Sequence, residues 1–533
     1  MKRELENSLE KTILNLQKSE KWGDFAMPEI MIGFPKDEKF GDYSTNIAMV
    51  LARTLKKNPL EIAENLNLGF RNFLKPSFDR IEVVAPGYIN FYLSKKYLQD
   101  KVAEINKLGE KFGESSIGKG IEVNNEFISA NPTGPLTVGN GRGGFYGDTL
   151  SRVLKKSGFE VTNEYYVNDG GGQVIKLGHS VLKDDEAVYA GDYIDQLNEK
   201  YGQGKDVQVA GQAAAADILE DVIKKTVAEK MRISFNVWTS EKKVQEGKYV
   251  DRAIEILKSK KLTYEAEGAL WLKTTDFDDD KDRVLIKSDG QFAYFAGDCG
   301  YMLHKIERGF GRLVIGLGAD HHGYIARLKA TALALGFAGD FRFIIVQLVR
   351  IVKDGQEARM SKRAGNVVAI DDLIDKVGHD AARFFFLMYS PNTHMIFDLN
   401  LAEEKSQKNP VYYVQYAHAR ICSILKKVQS SKFKVQSSGN FSLLTNPREL
   451  SLIREINKFP ELVEEISESY EVHKLPHYAI KLADKFHSFY NDLKVIDESD
   501  PETTGARLNL VNAVRIVLAE TLRIIGVAAP NKM

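Results

Sequence analysis

Residues 127–150 read FISANPTGPLTVGNGRGGFYGDTL, a strand-like run that breaks into a Pro/Gly turn and then opens a helix. The residues just before, IEVNNEFI at 121–128, alternate loosely, as a strand does. From Asn140 the spacing is helical up to Gly158, and a second strand, FEVTNEYYV, begins at once. Strand, turn, helix and strand form a βαβ unit, which in an open parallel sheet places ligands beyond the carboxyl ends of the strands. Gly134, Gly139, Gly141, Gly143 and Gly144 leave room for a ligand or a second backbone, and the helix amino end favours an anion. On these residues alone, a tight turn with helix-packing glycines reads equally well. A second element far downstream, Arg359-Met360-Ser361-Lys362-Arg363-Ala364-Gly365-Asn366, clusters cations beside a glycine, and two such loops can grip one triphosphate.

Outward from this core, the 533 residues suffice for three or four domains, and 43% hydrophobic with 27% charged residues excludes a disordered chain. No apolar run reaches the length of a bilayer span. The amino terminus is an amphipathic charged helix rather than a signal peptide, so no membrane association and a cytoplasmic location are expected. Cys299 and Cys422 lack CxxC spacing, which argues against a disulfide framework and a thiolate zinc site. The 73 basic and 73 acidic residues cancel; this excludes a strongly basic nucleic-acid binder but not local patches that grip phosphates.

Four regions are expected. Residues 1–106 read as an α+β unit that ends in the strand-like IEVVAPGYINFYLS, and 107–120, rich in Gly, Lys and Ser, as a linker. Residues 121–395 form the nucleotide region, with a largely helical, charged insertion at about 183–285, and 396–533 are all helix. In the last helix Val511, Val514, Leu518, Leu522 and Ile525 recur every three or four positions, and Gly526 and Pro530 end it.

Three local patterns carry chemistry. Tyr294 and Asp298, four apart, share a face if their segment is helical, and a carboxylate suits a planar cation. Adjacent His321 and His322 at a strand end point in opposite directions, so no zinc site is expected. The run at 411–420 mixes aromatic and polar groups, as core packing or as a surface for unpaired bases.

Thr137-Val138-Gly139-Asn140 resembles the His-x-Gly-His motif of class I aminoacyl-tRNA synthetases, and RMSKR their Lys-Met-Ser-Lys-Ser loop. With residues 129–135, SANPTGP, and 318–324, GADHHGY, the set resembles the arginyl-tRNA synthetase family over nearly the whole chain. That resemblance implies a multidomain α/β fold: a Rossmann-like parallel-sheet catalytic domain, an α+β amino-terminal domain touching the tRNA elbow, and an all-α anticodon-binding domain. It implies ATP with Mg2+ as substrate complex, L-arginine and its tRNA as partners, no tightly bound metal, and a monomer. Thr137, Asn140, Lys362 and Arg363 would be catalytic, with Lys362 as the main pyrophosphate contact. Pro132, Gly134, Gly139, Gly141, Gly318, His321, Arg359, Met360, Ser361 and Lys362 would bind ATP; Ser129, Asn131, Tyr294, Asp298 and Gln347 would bind arginine. Tyr412, Tyr416 and Arg420 would meet tRNA. Thr137 and Asn140 stand where imidazoles are usual and offer neutral donors instead. Tryptophanyl-tRNA synthetases are similar in showing a Thr-x-Gly-Asn form, while a non-catalytic tRNA-binding relative is the alternative reading of the same departure.

Overall fold

The computed structural model describes residues 1–19, 22–70, 76–204, 206–321, 323–358, 368–429 and 440–533. Five parallel strands form the central sheet: β1 (Glu122–Glu126), β2 (Glu160–Val167), β3 (Val237–Ser240), β4 (Arg312–Gly318) and β5 (Asp340–Val346). Their spatial order is β3-β2-β1-β4-β5. The order reverses between β1 and β4, and in doubly wound sheets the crevice at that reversal is where ligands bind. Helix α1 (Val138–Lys156) crosses from β1 to β2, α2 (Tyr294–Glu307) precedes β4, and α3 (Tyr324–Leu335) follows it.

Strand β1 is polar yet buried. Asn125 Nδ2 donates to the Gly147 carbonyl at 2.9 Å and to Ser151 Oγ at 2.7 Å, tying the strand to α1. The helix lies close because it shows glycine to its neighbours: a Cβ on Gly147 would come within 2.3 Å of Phe127, and one on Gly144 within 2.5 Å of Met231. Gly141 faces Ile370 in the same way, at 2.4 Å.

Residues 1–106 contain a four-stranded antiparallel sheet, with the hairpin Phe78–Val84/Tyr88–Leu93 at one side and helices Lys2–Lys18, Ile47–Leu55 and Pro59–Phe70 beside it. It packs on the carboxyl-terminal helices, where Arg454 pairs with Asp42 at 2.9 Å and Tyr43 donates to Glu461 at 3.1 Å. The last helix, Pro501–Ile525, is capped by Asp500 and ends at Gly526 in the left-handed region; Val511, Val514, Leu518, Leu522 and Ile525 are all fully buried, as their spacing predicts.

Three boundaries differ from the sequence reading. The stretch 183–285 is largely helical, but it also holds β3 of the central sheet and an antiparallel sheet of Thr263–Ala266, Ala269–Leu272 and Arg283–Ile286. Four-residue strands are too short to show a period. The 107–120 stretch is packed rather than free. Phe112 is buried against Phe459, with ring centroids 6.2 Å apart, and the Ser115, Gly118 and Gly120 amides donate to the carbonyls of Lys156, Ser157 and Gly158. Its Gly/Lys/Ser composition hides this single aromatic anchor. Strand Met395–Asp398 runs across the 395/396 boundary, pairing in parallel with Val349–Lys353.

Candidate active site

The turn between β1 and α1 is held from both ends. Ile128 and Ser129 adopt positive φ (67° and 39°) as the chain leaves the strand. Ser129 Oγ then lies 3.1 Å from Glu126 Oε1 and accepts from the Tyr166 amide at 3.0 Å. The serine hydroxyl is thus spent on holding the strand end. Pro132 is buried, Asn131 is exposed, and Tyr193, from helix Asp192–Tyr201, reaches over Gly134 to donate to the Thr133 carbonyl at 3.0 Å.

Thr137 is the N-cap of α1. It forms a reciprocal capping box: Asn140 Oδ1 accepts from the Thr137 amide and hydroxyl, both at 2.9 Å, and Thr137 Oγ1 accepts from the Asn140 amide at 3.3 Å. The Thr137 hydroxyl proton is therefore directed at Asn140. Among the described residues Asn140 Nδ2 has no partner, which leaves it as the side-chain donor of the pair. Gly139, half-buried in the first turn, leaves the backbone open beside Thr137.

One feature joins the two motifs. Thr137 pairs with Ala369 in an isolated antiparallel bridge: the Val138 amide donates to the Val368 carbonyl at 3.1 Å, and the Ile370 amide to the Leu136 carbonyl at 2.9 Å. Val368 lies five residues beyond Arg363, the last residue of RMSKR, and the strand pair Val349–Lys353/Gln356–Glu357 precedes that segment. Arg359, Met360, Ser361, Lys362 and Arg363 themselves lie outside the described residues, as does His322.

Along the same carboxyl edge, Gly318 is exposed at the end of β4, and His321, also exposed, meets Tyr324 edge to face at 5.2 Å. Gln347 follows β5, and its backbone carbonyl accepts from Arg142 Nη1 at 2.9 Å, while Arg142 Nη2 donates to the Ser390 carbonyl at 2.7 Å. Burial holds the Arg142 pKa down to about 10. This arginine, unremarked in the sequence, pins the end of β5 to α1.

Beside the turn is an acidic, tyrosine-walled slot. Segment 294–307 is helical, so Tyr294 and Asp298 do share a face. Tyr294 is 66% exposed at the mouth, and the Asp298 side chain is 25% exposed deeper in. Burial lifts the Asp298 pKa to about 6, against the pull of Arg327, whose Nη2 is 3.4 Å away and whose guanidinium stacks 3.3 Å over Tyr324. Glu241, just after β3, was missed in the sequence. Its pKa is raised first by burial, then by Asp169 and Asp298, and its Oε2 is buried without a partner among the described residues. Tyr166 lies in the field of Glu241, Asp298, Glu126 and Tyr294, and its ring stacks on Tyr301 at 4.1 Å. Nothing in the local sequence around Glu241 signals this role; only the parallel pairing of β3 with β2 puts it there. A slot with undercompensated carboxylates and aromatic walls suits a flat cation.

In the helical region, Tyr412, Tyr416 and Arg420 sit half-buried on helix Pro410–Gln429. Tyr416 stacks with His487 at 6.1 Å, and Arg420 lies 4.5 Å over Tyr490 and donates to the Tyr416 hydroxyl at 3.4 Å. His487 and Tyr490 come from helix Lys474–Asp492 and were not foreseen.

A nucleotide-type sheet with an anion-ready helix terminus at its switch point, joined to a carboxyl-terminal helical bundle, defines a class I aminoacyl-tRNA synthetase. Residues 203–386 match the family described as tRNA synthetases class I (R), catalytic domain; residues 2–93 match the arginyl tRNA synthetase N terminal domain, and residues 414–533 the DALR anticodon binding domain. The chain is 42% identical over 532 residues to an arginine–tRNA ligase of Bacillus licheniformis, covering 95% of each, and 43% identical over 529 residues to that of Listeria monocytogenes, again covering 95% of each. The solved Thermus thermophilus arginyl-tRNA synthetase shares the fold with a TM-score of 0.80 at 19% identity, over 100% of both chains. The chain belongs to the arginine–tRNA ligase family.

Proposed function

We propose that the chain activates L-arginine with ATP to arginyl-adenylate, releasing pyrophosphate, and then transfers the arginine to the 3′ end of its tRNA, releasing AMP. The bridge between Thr137 and Ala369 carries this reading, because it fastens the exit of the RMSKR segment to the amino end of α1. The reaction needs alignment and stabilisation of phosphate charge more than covalent help. The amino end of α1, with Thr137, Gly139 and Asn140, faces the nucleotide together with Pro132, Gly134, Gly318 and His321. Arg359, Met360, Ser361, Lys362 and Arg363 contribute ATP contacts, with Lys362 as the main pyrophosphate contact. Mg2+ arrives as the companion of ATP and neutralises phosphate charge.

Asp298 and Glu241 take the guanidinium, Tyr294 covers it, and Asn131 and Gln347 hold the α-amino end. Ser129 acts through Glu126 and the Tyr166 backbone rather than by touching arginine. Residues 396–533 bind the anticodon arm, with Tyr412, Tyr416 and Arg420 in that surface; 1–106 touch the tRNA elbow; and 121–395 carry the chemistry. The enzyme works in the cytoplasm as a monomer. The test is ATP–pyrophosphate exchange and tRNA charging with arginine, lysine and cysteine, with and without tRNA. Turnover is expected with arginine only and is strongest with tRNA present. Exchange driven by lysine or cysteine, or tRNA binding without any pyrophosphate release, overturns the reading.

A further inference from the structure

Beneath the slot lies a largely buried cluster of charges. Lys305 and Glu164 are fully buried, and Lys305 Nζ is 2.9 Å from Glu126 Oε2 and 3.4 Å from Glu164 Oε2, while also donating to Asn124. Glu164 further accepts from Thr239 at 2.6 Å, from Arg308 at 2.7 Å and from Asn124. The Tyr301 hydroxyl lies 2.8 Å from Glu126 Oε2 and 3.0 Å from Glu164 Oε1. Four elements meet here: β1 through Asn124 and Glu126, β2 through Glu164, β3 through Thr239, and α2 through Tyr301 and Lys305.

The same helix reaches the substrate side. Tyr294, Asp298, Tyr301 and Lys305 are spaced four, three and four apart, which sets them on one face of α2. Glu126, held by Lys305 and Tyr301, also accepts from Ser129, which holds the Tyr166 amide. Tyr166 in turn stacks on Tyr301, so the lattice closes on itself. Buried ion clusters add little stability over well-packed apolar side chains of like volume. What they impose is geometry, and a bidentate carboxylate–guanidinium pair demands it.

We propose that Lys305, acting through Glu126 and Tyr301, is a positioning residue for arginine: it sets the height of α2 over the ends of β1 and β2, and so selects a guanidinium against the compact ammonium of lysine. The inference rests on the assignment of the slot to arginine. Two variants test it, Tyr301→Phe, which keeps the ring stack and removes the hydroxyl, and Lys305→Met combined with Glu126→Gln, which removes charge from both sides. Initial rates of tRNA charging give the KM for arginine and for ATP and kcat, with urea unfolding as the check on folding. An arginine KM about 10-fold higher is expected, the effect of a displacement of a fraction of an ångström, together with measurable lysine charging. The ATP KM and kcat at saturating arginine stay within about twofold. Folded Tyr301→Phe with an unchanged arginine KM, or with arginine and ATP KM rising together, overturns the positioning role, even where the double variant does not fold. Asp298→Asn runs alongside: if it raises the arginine KM and the other variants do not, the positioning role alone fails. If Asp298→Asn leaves that KM unchanged, the slot assignment fails as well.

Discussion

Asp298 and Glu164 are carboxylates packed against the same sheet, one at the floor of the slot and one below it, and their proton affinities move in opposite directions. Burial raises both. For Asp298 a single guanidinium at 3.4 Å answers that cost incompletely, and the carboxyl settles at about 6. For Glu164, burial is overruled by Lys305, Thr239, Arg308 and Asn124, and the pKa falls to about 2. One carboxylate is satisfied by the protein; the other is left short of positive charge, which is what a site awaiting a cation requires. The difference separates a carboxylate that the fold fully compensates from one that it holds at some expense, as the proposed arginine site requires.

The comparison can be broken at several points. Asp298→Asn is expected to lower kcat/KM for arginine by about 10³-fold, because it removes one partner of a desolvated charge pair. The same variant should gain on the order of 1–2 kcal/mol in urea unfolding at pH 8, since the folded pKa of about 6 lies above the unfolded 3.8, so the cost of ionisation builds between those values and is complete above 6. A loss of stability would place Asp298 with the structural group. Glu164→Gln is expected to cost about 3 kcal/mol by urea unfolding, because it leaves buried cations short of a partner.

The pH profiles should diverge as well. The Asp298 carboxyl must be ionised to hold a guanidinium, so the arginine KM should rise about tenfold per pH unit below 6 in steady-state assays. For Glu164 the folded pKa of about 2 lies below the unfolded value of 4.5, so its stabilisation is present above pH 4.5 and is lost as pH falls toward 2. The smallest effect is expected at the cap of α1: Thr137→Val should cost about 1 kcal/mol of stability in thermal or urea unfolding. The hydroxyl is already committed to Asn140, so the variant should change the ATP KM by no more than about tenfold; a much larger loss of activity would show that the box opens to donate to phosphate.

Legibility followed the reach of each signal. The turn at 127–150, the pairing of Tyr294 with Asp298 and the apolar stripe of the last helix were readable because spacing along one helix or one turn fixes them. The glycines of α1 were readable only as small; that Gly141, Gly144 and Gly147 admit Ile370, Met231 and Phe127 is a fact about elements distant in the chain. Glu241, Tyr166, Arg142 and Lys305 carried no local signal, since each acquires its role from a strand or helix it meets across the sheet.

By itself the sequence determined the strand–turn–helix at 127–150, which loop carries cations, and which family the motifs resemble, because backbone turns and helical spacing are local properties. Only the tertiary structure decided that the loop exit is stitched to the helix amino end, that a second carboxylate, Glu241, lies beside Asp298, and that buried charges stand behind them. Those depend on parallel strand pairing and on the electrostatics of burial, both set by residues far apart in the chain.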